Sequence, residues 1–222
     1  MTVPALDKYL VARDNAWQWS REFGWLKKLS LSLGMACLVG LLAQARIPLP
    51  WTPIPITCQT FGVLLAAVLL GQWWSGISMG LYVALGVAGL HWFNGGTGGA
   101  SAIAGPTGGY LIGFILAALF LGYVADRYAK ARSFRNLLIL MLFADFVLVF
   151  GPGLFQLHLW SNIAGKEAIA FPALLVMGLI PFIPGEIIKI VAAAGAGWAL
   201  SSKKDTLAKR EQILSIFKST RT

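Results

Sequence analysis

Charge is scarce in this 222-residue chain, and negative charge most of all. Nine Asp and Glu stand against eighteen Lys and Arg, and charged residues make up 12% of the whole. Between Arg46 and Asp126 lie 79 residues with no acid, lysine or arginine. A soluble domain builds its surface from charges, about a quarter of its residues, so this stretch has to face lipid or other protein. Histidine and cysteine are also rare, two of each. Cys37 and Cys58 match no metal-ligand spacing and read as free thiols. There is no H-E-x-x-H and no cysteine cluster, so no zinc site is expected. There is no G-x-x-x-x-G-K-[ST], which excludes ATP hydrolysis through a P-loop. The first twenty residues carry no apolar run, so no cleavable signal peptide is expected.

What is present is apolar: 57% of the residues are hydrophobic and the mean hydropathy is +0.71. The fold class these numbers indicate is an all-α integral membrane protein with one membrane domain. A spanning helix takes about 20 residues, and six candidate spans can be read, at 29–45, 56–70, 74–90, 109–124, 137–157 and 173–200. The second and third are short and separated only by Gly71-Gln72. Charge parity separates them. Basic residues gather in three places: before the first span (Lys8, Arg13, Arg21, Lys27, Lys28), at Arg127, Lys130, Arg132 and Arg135, and in the tail from Lys203 to Arg221. Positive charge marks cytoplasmic segments. Six spans put all three clusters on that side, whereas five put one outside. The expected organisation is a cytoplasmic segment 1–28, a membrane domain 29–200 and a basic cytoplasmic tail 201–222. The net charge of +9 is thus a lipid-facing and orienting feature, and no nucleic-acid partner is implied.

Three connections then face outside. Residues 46–55 hold four prolines, which fix an extended path. Residues 95–109 are rich in glycine and cannot be a span. The third is 158–172. The first two are expected to act as lids over a pocket. Small residues four apart, Ala36 and Gly40, Gly76 and Gly80, Gly109 and Gly113, favour close helix packing. The first span, which carries the first of these pairs, is also the expected docking face for a partner protein.

Only Asp145, Glu186 and Lys189 are ionisable within the spans. Such groups are costly in lipid, about 2.5–3.5 kcal/mol on insertion scales, so each needs a partner or a purpose. Glu186 and Lys189, three apart, share a helix face. Pro181-Phe-Ile-Pro184-Gly185 just before them can break the helix and free backbone N–H groups. Two readings stand: an ion pair that holds the helix, or a small-molecule site with a donor and an acceptor. Asp145 has no partner nearby in sequence, and its role stays open. Ser101 with a distant His158 could be drawn as a hydrolytic dyad, although serine is common in small-residue loops.

Several strings resemble a known family. Pro48-Leu-Pro with Pro55-Ile-Thr-Cys-Gln59-Thr-Phe-Gly, then Gly80-Leu-Tyr, Gly95-Gly-Thr-Gly-Gly, Gly105-Pro-Thr-Gly-Gly-Tyr110-Leu-Ile-Gly-Phe114 and Pro181-Phe-Ile-Pro184-Gly185-x-Ile-x-Lys189, are similar to BioY, the biotin-specific S component of energy-coupling-factor (ECF) transporters. The likeness runs from about Gln44 to Ala199. It implies an ECF S-component-like bundle of six helices, with the ligand near the outer face under loops. It implies biotin as transported ligand, no catalysis and no cofactor, with a transmembrane coupling protein and an ATPase pair as partners, in a bacterial inner membrane. The family's last motif usually has Asp where this chain has Glu186, a carboxylate one methylene longer. The resemblance makes Glu186, Lys189 and Asn94 ligand contacts, with Gln59 and Tyr110 as weaker candidates near the lids. Biotin's ureido ring offers two N–H donors and one carbonyl acceptor, which a carboxylate and an ammonium or amide can match. The competing readings are an S component for another vitamin, transport by this protein alone, and an intramembrane enzyme.

Overall fold

The computed structural model describes residues 4–163 and 170–202. The basic tail from 203 onward and part of the third connection lie outside the described residues. The described residues form a helical bundle with one small two-stranded ribbon.

Helix α1 (Pro4–Arg21) leads into α2 (Trp25–Gln44), which begins four residues before the expected start of the first span. Strands β1 (Arg46–Ile47) and β2 (Ile56–Thr57) pair antiparallel, Arg46 opposite Thr57, and close the proline segment into a loop. Helix α3 (Gln59–Leu70) and helix α4 (Gln72–Val87) are separate, as charge parity suggests. Gly71 has φ 80°, a conformation that costs a residue with a Cβ. The glycine run is ordered as a 3-10 turn at Asn94–Gly96 and a short α5 (Ala100–Ala104). Helix α6 (Gly108–Arg127) follows. Helices α7 (Phe134–Phe143) and α8 (Phe150–Ile163) form one 30-residue stretch, joined by a π-helical turn at Ala144–Val149. Helix α8 therefore runs through His158, which was expected to lie in a loop. The last stretch is broken. Helix α9 (Phe171–Gly178) ends at Leu179, a 3-10 turn carries Ile180–Phe182, and α10 (Ile183–Leu200) restarts with Pro184 in its first turn.

Four stretches are long and apolar enough to cross a membrane: Trp25–Gln44, Gly108–Arg127, Phe134–Ile163 and Phe171–Leu200. Helix α3, with 12 residues, is a shorter apolar helix, and α4 has 16.

Helix α6 is the axis, packed on α3, α4 and α8. Its glycines permit this. A Cβ on Gly113 would lie 2.6 Å from the Leu148 carbonyl oxygen, and one on Gly109 would collide with the Pro152 carbonyl. Backbone there meets backbone, the small-residue packing of membrane bundles. Gly76 is likewise filled by Leu119, while nothing approaches Gly80 within 4 Å. The Ala36 and Gly40 pair differs from its expected role. Both residues are buried, and Gly40 lies against the Trp92 ring, 3.2 Å from where a Cβ would sit. That face packs inside the bundle, so it does not offer itself to a partner. Its small residues make room for an indole of the same chain.

The two ends of the bundle differ. At one end, the Tyr9 hydroxyl donates to the Ala199 carbonyl, the Gln72 N–H donates to Asp126, and Arg132 donates to the carbonyls of Ala125 and Ser202. At the other end, the proline loop, the glycine run and the head of α10 meet.

Candidate functional site

Glu186 sits in the first turn of α10 because the break at Leu179–Phe182 restarts the helix just before it. Its side chain points inward, and the residue is 4% exposed. Both oxygens are held. The Thr60 hydroxyl on α3 donates to Oε2 at 2.6 Å, and Lys189 Nζ donates to Oε1 at 2.5 Å. Lys189 also donates to the Thr57 carbonyl on β2 at 2.7 Å. The ion pair therefore ties α10 to both α3 and the ribbon, and charge-assisted bonds of this kind are the strong ones.

The rest of the site is built on that anchor. The Thr57 hydroxyl donates to Gln59 Oε1 at 2.9 Å, and Gln59 Nε2 donates to the Tyr82 hydroxyl at 2.8 Å. Gln59 is thereby fixed at the top of α3, 5% exposed. The Tyr110 hydroxyl donates to the Gly178 carbonyl at 2.8 Å, satisfying an end group of α9. Its ring stands edge-on to Phe150, with centroids 5.5 Å apart, and Phe150 meets Phe182 in turn. These rings, with Phe114, make an apolar wall opposite the polar cluster.

Asn94 enters from the glycine run. Gln44 Nε2 donates to the carbonyls of Trp92 and Phe93, and its Oε1 accepts from the Gly96 N–H at 3.0 Å. Gly95 and Gly96 have φ 70° and 69°, so the chain turns back sharply just after Asn94. The Asn94 side chain makes no hydrogen bond to any described residue. The proline loop closes the other side, where the Thr52 hydroxyl donates to the Met177 carbonyl at 2.6 Å.

One cavity collects these groups. Glu186, Gln59, Tyr110 and Asn94 all line it, with Thr57, Thr60, Thr107 and the aromatic wall. Four of the five residues singled out in the sequence thus share one space. Lys189 stands behind it, 12% exposed in its side chain, held by Glu186 and Thr57. A mostly apolar hollow with a few convergent polar groups is the form of a small-molecule site. Thr60 was not anticipated. Its partner Glu186 is 126 residues away, and only its place beside Gln59 in a matched string points to it. The Phe150 ring gave no local signal either, and Phe182 only its place in the Pro181–Gly185 string.

Asp145 lies in the π-helical turn, roughly one turn from Val149 and Phe150, which line the cavity. It is fully buried, and neither carboxylate oxygen has a hydrogen-bond partner. Ser101 and His158 do not form a dyad. His158 Nε2 meets Asn162, and Ser101 is exposed on α5. Cys37 and Cys58 are free.

The BioY family model matches residues 13–205. A protein of Methanothermobacter thermautotrophicus described as a probable biotin transporter BioY is 48% identical over 141 residues, covering 63% of this chain and 89% of that protein. The biotin transporter BioY of Thermotoga maritima is 36% identical over 154 residues, covering 69% and 85%. A crystal structure of the S component for biotin from an ECF-type ABC transporter superposes with a TM-score of 0.70 at 30% identity, covering 79% of this chain and 90% of that one. The protein belongs to the BioY family.

Proposed function

We propose that this chain is the biotin-capturing membrane subunit of a vitamin-uptake transporter and that its cavity is the biotin site. The observation that carries the reading is Glu186: a buried carboxylate, fixed by Thr60 and Lys189, lining a cavity with an aromatic wall. A carboxylate suits the two ureido N–H groups of biotin. The Asn94 amide can donate to the ureido carbonyl, as can the third proton of Lys189, since two of its three donors are used. The fused rings lie against Tyr110, Phe150 and Phe182, and Gln59 closes the polar side. The names of the relatives, all biotin transporters, support the same ligand.

The protein performs no chemistry on its ligand. The sequence has no nucleotide motif, so uptake against a gradient draws its energy from partners, an ECF coupling protein and an ATPase pair. The chain crosses a cell membrane six times, with α3 and α4 as a short pair, and both termini are cytoplasmic. The proline loop and glycine run then face outside as lids. The membrane domain spans about 29–200, flanked by the N-terminal segment and the basic tail.

Calorimetry with purified protein in detergent tests the reading. Biotin is expected to bind saturably to the wild type and to be lost in Glu186→Gln and Lys189→Met. Binding unchanged in both variants would reduce the pair to a structural bridge. No binding by folded wild type would overturn the biotin assignment.

A further inference from the structure

Arg46 is a cation with no counter-charge among the described residues, and it stands beside residues that line the cavity. It is the last charged residue before the long uncharged stretch, and it stands on β1 opposite Thr57, which lines the cavity. Its guanidinium lies over the backbone of Gly95, where an added Cβ would come 2.6 Å from the Arg46 Cζ. Gly95 follows Asn94, which also lines the cavity. The side chain thus spans from the ribbon to the glycine run, between two lining residues. It makes no ion pair or hydrogen bond within the described residues. The described carboxylate at this end is Glu186, and each of its oxygens already accepts one hydrogen bond, from Thr60 and from Lys189. A guanidinium offers five N–H donors in a planar fork that fits a carboxylate bidentately.

We propose that Arg46 is the subsite for the ligand's carboxylate tail, a role that rests on the biotin reading above. The polar end of the cavity, at Glu186 and Thr60 with Lys189 behind them, is matched to an uncharged ring with donors. A ligand with a ring at one end and a carboxylate at the other places its anion toward the loops, where Arg46 waits. Arg46 then decides for acids over their neutral analogues. It also joins the two lids, since its stem belongs to the ribbon and its head rests on the glycine run.

The test is calorimetry in detergent with two probes, biotin and its uncharged carboxamide, on wild type, Arg46→Gln and Arg46→Lys. Arg46→Gln is expected to weaken biotin on the order of tenfold while leaving the carboxamide within about twofold, which also shows that the variant is folded. Arg46→Lys keeps the charge but not the fork, and is expected to fall between. Raising salt weakens biotin on wild type more than on Arg46→Gln, because the pair is partly exposed. Equal losses for both probes, or no loss for biotin, would overturn the carboxylate role while leaving the biotin site in place. Wild type that binds neither probe would overturn both readings.

Discussion

Thr60 and Glu186 meet across the α3–α10 contact, the threonine hydroxyl 2.6 Å from the carboxylate. With Lys189 on the other oxygen, the carboxylate plane cannot turn freely. Its free lone pairs are aimed into the cavity, and the orientation is set before a ligand arrives. Preorganisation of this kind lowers the cost of binding.

The first prediction follows. Thr60→Val keeps the shape and removes the donor. A hydrogen bond to a charged group contributes about 1.5–3 kcal/mol, and part of that loss is offset by rotation of the freed carboxylate, so biotin affinity should fall on the order of tenfold. Thr60→Ser should retain most of the affinity. Calorimetry on the two variants checks this, and equal behaviour of valine and serine would mean that the hydroxyl does not orient Glu186.

Glu186 and Lys189 were legible in the sequence because ionisable residues in an apolar helix are conspicuous, and three positions apart means one face. The helix break before them was legible from Pro181 and Pro184. Thr60 was not, because a threonine in an apolar run gives no sign of a partner 126 residues on. Ala36 and Gly40 show the limit of a spacing rule. The spacing says that something comes close, but it cannot name Trp92 as that thing. The π-helical turn around Asp145 was not read from the sequence, although Gly151-Pro152-Gly153 just beyond it marks a helix that cannot stay regular. The first four predicted segments fall on helices α2, α3, α4 and α6 to within a few residues, although Gly71-Gln72 alone gave little sign of a break and charge parity supplied it.

The α6 glycines give the second prediction. Gly113→Ala places a methyl group against the Leu148 and Val149 backbone, which has no rotamer with which to yield. Overpacking of this sort costs about 1–3 kcal/mol. A clear drop in thermal unfolding temperature in detergent is expected. Gly80→Ala is the control, because nothing lies within 4 Å of the new methyl, and it should leave the temperature nearly unchanged. Similar drops at both positions would put the cost in helix propensity or insertion rather than in packing.

The strap at the opposite end gives the third. The Arg132 guanidinium lies 4.8 Å from the Trp17 ring centroid and donates to the carbonyls of Ala125 and Ser202. It therefore ties α1 to the ends of α6 and α10. Arg132→Met keeps much of the stem but loses these bonds and leaves buried carbonyls unpaired, at about 1–3 kcal/mol for each. The variant is expected to unfold at lower temperature and to expose α1 to protease, with biotin affinity unchanged because the cavity is at the far end. Loss of biotin binding at full thermal stability would instead show that the two ends are coupled.

Asp145 gives the last. Its carboxyl is buried with neither oxygen satisfied, and an unsatisfied buried polar group costs about 1–3 kcal/mol. Nothing in its surroundings repays that cost through a bond. Asp145→Leu replaces the carboxyl with an apolar group of similar size among Phe146, Val149 and their neighbours. If the residue is only a structural burden, the variant should unfold at a higher temperature and bind biotin as before. A stabilised protein with weakened binding would give Asp145 a role in the site one turn away, through its electrostatic proximity to Glu186 and Lys189. A destabilised protein would mean that the bulkier methyl groups overpack the site, and Asp145→Asn, which keeps the size, then reads the cost of the charge alone. The measurement pairs thermal unfolding with calorimetry on the same sample, so that stability and affinity are read independently.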